Sequence, residues 1–198
     1  MAGRADRIAT IIAGVLRQAI ADSGAERVIL LADGSPEAEL LTAMLQPRLG
    51  GGFATREAAG PRWPELLDAW ANAAHEQPGA LVAAASNKTA ALLGAALPGP
   101  LLPLGDVWAS QVQALCGAWS GPPELRQLSN RAGGIESLDA ALATVVDRRR
   151  MPHEAGALLA PDVAGTLLAL WERGRFARRH LGLVPKLGQR TIGVDLFD

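Results

Sequence analysis

A single cysteine, Cys116, rules out an intramolecular disulfide, and three scattered histidines, His75, His153 and His180, stand in no metal-ligand spacing. Structural zinc is excluded with them. The lone thiol lies on a helical stripe beside Leu115 and Trp119, and it is expected in the core with no chemistry of its own. Aromatic residues make up only 4% of the chain and the formal net charge is -1. The basic stripe and stacking platform of a nucleic-acid binder are therefore missing. Apolar runs such as "LLALW" are far too short to cross a bilayer, and "MAGRADR" leads into an amphipathic segment instead of a signal-peptide core. The expectation is a cytoplasmic chain without a membrane partner, forming one compact domain over residues 1–198 from an ordinary globular composition.

The near-zero net charge hides an asymmetry. "DRRR" at 147–150 and "ERGRFARRH" at 172–180 concentrate arginine toward the C-terminus. Such a patch can meet phosphates, or it can be a set of solvated helix faces with basic C-terminal ends.

Hydrophobic periodicity supplies the elements. Ile8, Ile11, Ile12, Val15, Leu16 and Ile20 fall at helical spacing, and Ser23-Gly24 supplies a stop. "RVILLA" at 27–32 is a continuous apolar run bounded by a turn, the pattern of a strand buried on both faces of a parallel sheet. Ser35 as N-cap and Pro36 in the first turn open a second helix, expected to end near Pro47. The glycine- and proline-rich stretch "GGGFATREAAGPRWP" holds at most one short strand and is read as a loop. Trp63, Leu66, Leu67 and Trp70 mark a third helix, and "ALVAAAS" a second buried strand. Asp106 is a candidate cap for a helix carrying Trp108, Val112, Leu115, Cys116 and Trp119. The remainder reads as helical, through Leu138, Leu142, Val145 and Val146 and then Pro161 to Trp171, before an irregular tail. Strands alternating with helices imply an α/β fold with a parallel sheet flanked by helices, and ligands beyond the carboxyl ends of its strands. Asp33 and Asn87 lie at such ends.

Four stretches in order, "GAERVILLADGSPE", "LVAAASNKTAALLG", "LLPLGDVWASQV" and "RFARRHLGLVPKLGQRTIG", resemble the ammonia-transferring domain of NAD synthetase. The family's counterparts are a "GVVVGLSGGIDS"-like strand and loop, "GTxNKSE", "PIGDLYKTQV" and "FKRRQPPGPK". The resemblance runs through nearly the whole chain with deletions. It implies an ATP-pyrophosphatase-type, adenine nucleotide alpha hydrolase-like fold of Rossmann-like three-layer form, with reduced strand number and a helical C-terminal part. ATP and magnesium are the implied cofactors. It also implies homodimerisation through helices flanking the sheet, with Trp63, Trp70, Trp108 or Trp119 as candidate anchors.

The departures fall together on the family's catalytic face. The loop after the first strand, which in relatives cradles pyrophosphate and holds magnesium, reads Ala32, Asp33, Gly34, Ser35, Pro36, Glu37, and only Gly34 keeps the family's residue type. Pro36 replaces the metal aspartate and removes a backbone donor. Asp33 and Glu37 add negative charge where a polyanion would bind. A rebuilt loop, with Asp33 as the metal carboxylate and Ser35 as hydroxyl donor, is the alternative. After "SNKT" the second metal carboxylate is Ala90, the threonine before the motif is Ala85, and the lysine of the third motif is Ala109. "TKYGD" is reduced to "AALPGP", the insert between Gly52 and Trp63 is short, and the mobile loop between Ser129 and Gly134 is gone. Candidate cofactor-binding positions on this resemblance are Gly34, Ser35, Asn87, Lys88, Thr89 and Lys186. Lys88 and Asn87 also fit a purely structural part, tying the loop after the second strand. No catalytic residue and no metal ligand is assigned. The expectation is an inactive protein acting by binding, as a homodimer, with a partner protein, or on a nucleotide or dinucleotide. The alternatives are a trimmed active NAD synthase and a non-catalytic nucleotide-binding regulator.

Overall fold

A computed structural model describes residues 2–58, 63–96 and 101–187; the side chains of Ala2, Trp63, Pro64 and Phe176 lie outside that description. The expectations for the tail beyond Leu187, for most of "AALPGP" and for Trp63 as an anchor fall outside it too.

Helix α1 (Ala2–Ser23) buries its Ile12 and Leu16 stripe and turns at Gly24 (φ 70°) into β1 (Arg27–Ala32). Helix α2 (Pro36–Leu49) leads to β2 (Phe53–Glu57), and α3 (Trp63–Glu76) to β3 (Ala80–Ala84). The three strands form one parallel sheet in the order β2-β1-β3, with Val28 opposite Phe53 on one side and Leu81 on the other. Alternation sets the layers. Val28, Leu30 and Ala83 pack toward α1 and α2, whereas Leu31 and Val82 meet Leu66, Ala69 and Ala73 of α3. The chain crosses from β2 over the central strand to β3, so β1 and β3 border the switch point of the sheet.

Past β3 come α4 (Lys88–Leu92) and a single parallel bridge between Leu101 and Ala83. The helical part follows: α5 (Ala109–Cys116), α6 (Pro123–Arg131), α7 (Ile135–Val146), α8 (Pro152–Gly156), α9 (Pro161–Arg173) and α10 (Arg175–Arg179). Leu138, Leu142, Val146, Leu125, Leu128 and Leu167 share a second core with Ala91 and Leu92. Burial of this kind is worth about 25 cal/mol per Å² of apolar surface. Among the described residues no helix is long and apolar enough to cross a membrane.

Four local expectations are corrected. The stretch read as a loop contains strand β2, because Phe53 is buried against β1 while Thr55 and Glu57 face solvent at the sheet edge. Helix α2 continues past Pro47 to Leu49. Only one ladder bond is lost that late in the helix, Arg48 donates to the Met44 carbonyl (2.8 Å), and Gly50 N–H returns to Gln46. Asp106 does not cap α5; the helix starts after Trp108, whose N–H donates to Gln111 Oε1 (3.2 Å). Cys116 is exposed, not in the core, because α5 turns its Val112 side inward and ends there at Gly117 (φ 81°).

The arginine-rich segment also turns inward at one point. Arg178 donates to the carbonyls of Leu92 and Trp171, both at 2.6 Å, and lies 4.2 Å from the Trp171 ring centroid. Burial lowers its pKa to about 10. It locks α10 to α4 and α9, beside a close approach of Gly94 and Gly174. A Cβ on Gly94 would sit 2.5 Å from Gly174 Cα, and Gly94 has φ 74°. Gly94→Ala is expected to cost at least about 2 kcal/mol in urea unfolding, from backbone clash and left-handed strain together. Gly14→Ala, in open space on α1, should instead stabilise by about 0.5–1 kcal/mol. A neutral Gly94→Ala would contradict the packing of α4 on α9.

Candidate functional site

The turn that leaves β1 is self-contained. Ser35 N–H donates to Asp33 Oδ1 (3.1 Å) across Gly34 (φ 73°), and Ser35 Oγ accepts from Ala38 N–H (3.2 Å). Pro36 has no N–H, so the first turn of α2 offers few free donors to an incoming anion. The half-buried Asp33 carboxylate serves the turn itself.

Glu37, in the same turn of helix, is the unexpected centre. It is 2% exposed, and its carboxylate takes hydrogen bonds from two distant segments. Asn87 Nδ2 donates to Oε1 (3.0 Å). Ser120 donates its backbone N–H to both oxygens (3.0 Å each) and its hydroxyl to Oε2 (2.8 Å). Burial pushes the Glu37 pKa above the usual carboxylate range, and these hydrogen bonds pull against that shift. Asn87 meanwhile caps α4, its Oδ1 accepting from Ala90 N–H (3.0 Å). The loops after β1 and β3 and the chain after α5 are therefore fastened together at the switch point.

Two further buried networks continue from Asn87. Lys88 Nζ lies 2.9 Å from Asp106 Oδ1, 3.9 Å from Asp147 Oδ1 and 4.8 Å from the Trp108 ring centroid. The other oxygen of Asp106 accepts Leu187 N–H (2.7 Å), which draws the strap after α10 under the same site. Thr89 Oγ1 donates to Asp139 Oδ1 (2.6 Å) and accepts from Ala109 N–H (3.0 Å), while Ser110 N–H donates to Asp139 Oδ2 (2.7 Å). Burial raises the Asp139 pKa as well.

Of the positions singled out in the sequence, Gly34, Ser35 and Asn87 thus gather around Glu37. Lys88 and Thr89 point into separate buried networks, and Lys186 is exposed on the strap. Glu37, Ser120 and Asp139 were missed as partners. Their contacts span 50, 83 and 50 residues of sequence, and no short spacing marks them.

No family model matches the chain, and no curated protein matches it either. Solved structures do. One is an NH3-dependent NAD synthetase from Campylobacter jejuni subsp. jejuni in complex with nitrate, with TM-score 0.57, 14% identity, and 93% of this chain and 99% of that chain covered. Another is a glutamine-dependent NAD+ synthetase from Acinetobacter baumannii in complex with ADP, with TM-score 0.39 and 16% identity over 96% of this chain and 48% of that chain. The first likeness, end to end in both chains, shows that this chain has an NAD-synthetase-like α/β fold.

At the switch point the carboxylates that could meet ATP and magnesium, the groups the sequence resemblance implies, are already engaged by protein donors. Both Glu37 oxygens are taken up by protein donors, and Asp33 is tied to its own turn. Among the described residues no group of three or more His, Cys, Asp or Glu is placed to hold a metal ion.

The raised Glu37 pKa has a definite sign in stability. Its contribution is fully present below the ordinary carboxylate pKa and is lost as pH rises through the higher folded value. Glu37→Gln keeps the acceptor toward Asn87 and Ser120 N–H and removes the charge. Relative to wild type, the variant should lose less stability in urea as pH rises from the ordinary carboxylate pKa through the raised folded one. An identical pH slope in both proteins would contradict the buried, ionisable carboxylate.

Proposed function

We propose that this chain is a non-catalytic protein built on the NAD synthetase fold, acting by binding, as a homodimer or with a partner protein. The observation that supports this reading is the Glu37 clamp. In open α/β sheets the ligand enters beyond the carboxyl ends of the strands at the switch point. In this chain Ser120, Asn87 and Glu37 close that entrance with four hydrogen bonds among themselves. A polyphosphate seated there would displace the segment around Ser120 and then face the carboxylates of Asp33 and Glu37. Each such like-charge pair at about 4 Å costs roughly 1 to 4 kcal/mol at effective dielectrics of 80 to 20. Adenylyl transfer relies on positioned positive charge, and each missing group typically lowers the rate about 10² to 10³-fold.

Binding surfaces remain. On α3, Leu67 is 42% exposed and Trp70 is half-buried, an apolar pair on the outer face of the sheet layer suited to a helix from a second copy. The exposed thiol of Cys116 fits a reducing compartment, in keeping with a cytoplasmic site of action.

Incubation with ATP, magnesium, ammonia and nicotinic acid adenine dinucleotide is expected to release pyrophosphate no faster than a protein-free blank. Sustained, magnesium-dependent release above that blank would overturn the proposal in favour of a trimmed synthetase.

A further inference from the structure

A cleft of about 590 Å³ opens between the first half of α1 and the segment that carries Asp106 and Trp108, with Lys88, the chain neighbour of Asn87, in its wall. One wall is a stripe of α1: Arg4, Arg7, Ile8 and Ile11, spaced three and four residues apart on one helix face. The opposite wall carries Trp108, half-buried, and Lys88. Lys88 is already matched there by Asp106 at 2.9 Å and Asp147 at 3.9 Å, so that wall carries one net negative charge and the positive charge open to a ligand lies on α1.

The α1 wall differs. Arg4 and Arg7 are exposed and have no hydrogen-bond or ion-pair partner among the described residues. Asp6, the acidic residue between them, is turned away to Arg48, which holds it by a hydrogen bond. No acidic residue stands in the first turn of α1. Two guanidinium groups one helical turn apart thus line a cavity of ligand size, with Asp6 held by Arg48 and the Asp106 and Asp147 carboxylates of the far wall paired with Lys88. Guanidinium matches phosphate oxygens in a planar, bidentate fork. Ile8, Ile11 and the Trp108 ring give the same cavity an apolar side, and cavities of about 300–1,000 Å³ hold small organic ligands.

We infer that this cleft binds a small soluble phosphomonoester, with Arg4 and Arg7 on the phosphate and Ile8, Ile11 and Trp108 against the organic body. The inference goes beyond the proposal of a non-catalytic protein and does not rest on it. No cleft residue hydrogen-bonds Glu37, and the inference is carried by Arg4, Arg7, Ile8 and Ile11 of α1 and by Trp108, none of which takes part in the Glu37 clamp.

The test is isothermal titration of the full chain, at about 0.1 M ionic strength, with phenyl phosphate and with inorganic phosphate. Wild type is compared with Arg4→Ala/Arg7→Ala and with a control of equal charge change, Arg126→Ala/Arg179→Ala, at exposed sites outside the cleft. Alanine favours helix at both α1 positions, and circular dichroism verifies that each variant keeps the wild-type fold. Phenyl phosphate should bind saturably and about tenfold or more tighter than inorganic phosphate. The α1 double variant should weaken phenyl phosphate binding about tenfold or more, and the control variant less than about twofold. Absence of saturable phenyl phosphate binding, or equal affinity in wild type and the α1 variant, would overturn the inference. Equal affinity for the two probes would remove the apolar wall from it.

Discussion

A carboxylate taken almost wholly out of water must have its oxygens satisfied, and Glu37 meets that condition only if three segments hold their places. Asn87 has to project from the loop after β3, and Ser120 has to present both its N–H and its hydroxyl from the chain after α5. An unpartnered buried charge is strongly destabilising, whereas a satisfied network fixes one arrangement. The sheet and the helical part are joined at the switch point through this side chain. The raised pKa of Glu37 records what that join costs in desolvation.

The join has two neighbours built on the same plan. Lys88 with Asp106, and Thr89 with Asp139, each set a polar residue of α4 against a carboxylate from a later segment. Residues 87–89 thus make three consecutive long-range polar contacts, toward α2, the segment before α5, and α7. In a sheet of this topology the loops after the strands are free to address a ligand. In this chain their polar groups are spent on one another. The stretch "SNKT" can therefore look like a cofactor motif in sequence while the side chains of Asn87, Lys88 and Thr89 make contacts that hold the fold together.

The fold was legible because its signals are local. The Ile12 and Leu16 stripe of α1, the unbroken apolar run of β1 and the Ser35-Pro36 start of α2 each carry their structure within a few residues. Strand β2 was hidden because a sheet edge buries only part of it, leaving Phe53 as its one buried residue behind three glycines. The site was legible only in part. Asp33 and Asn87 are expected just past the strand ends and Ser35 at the N-cap of α2, and the structure puts them there. The part played by Glu37 could not be read, since a helix N-terminus favours an acidic residue whether it faces solvent, ligand or another loop. Its partner Ser120 lies 83 residues away in a stretch without periodicity. Asp106 misled for a related reason, being a good capping residue whose charge is claimed by a lysine 18 residues earlier.

The central claim is that Ser120 is fastened to a buried carboxylate and so closes the carboxyl end of the sheet. Native-state hydrogen exchange at the Ser120 amide tests it most directly. The account predicts slowing by about 10³-fold or more relative to the unfolded chain, because the N–H is released only when the clamp opens. Exchange within about tenfold of the unfolded rate would show a segment that does not stay on Glu37, and would leave the switch point open to ligand.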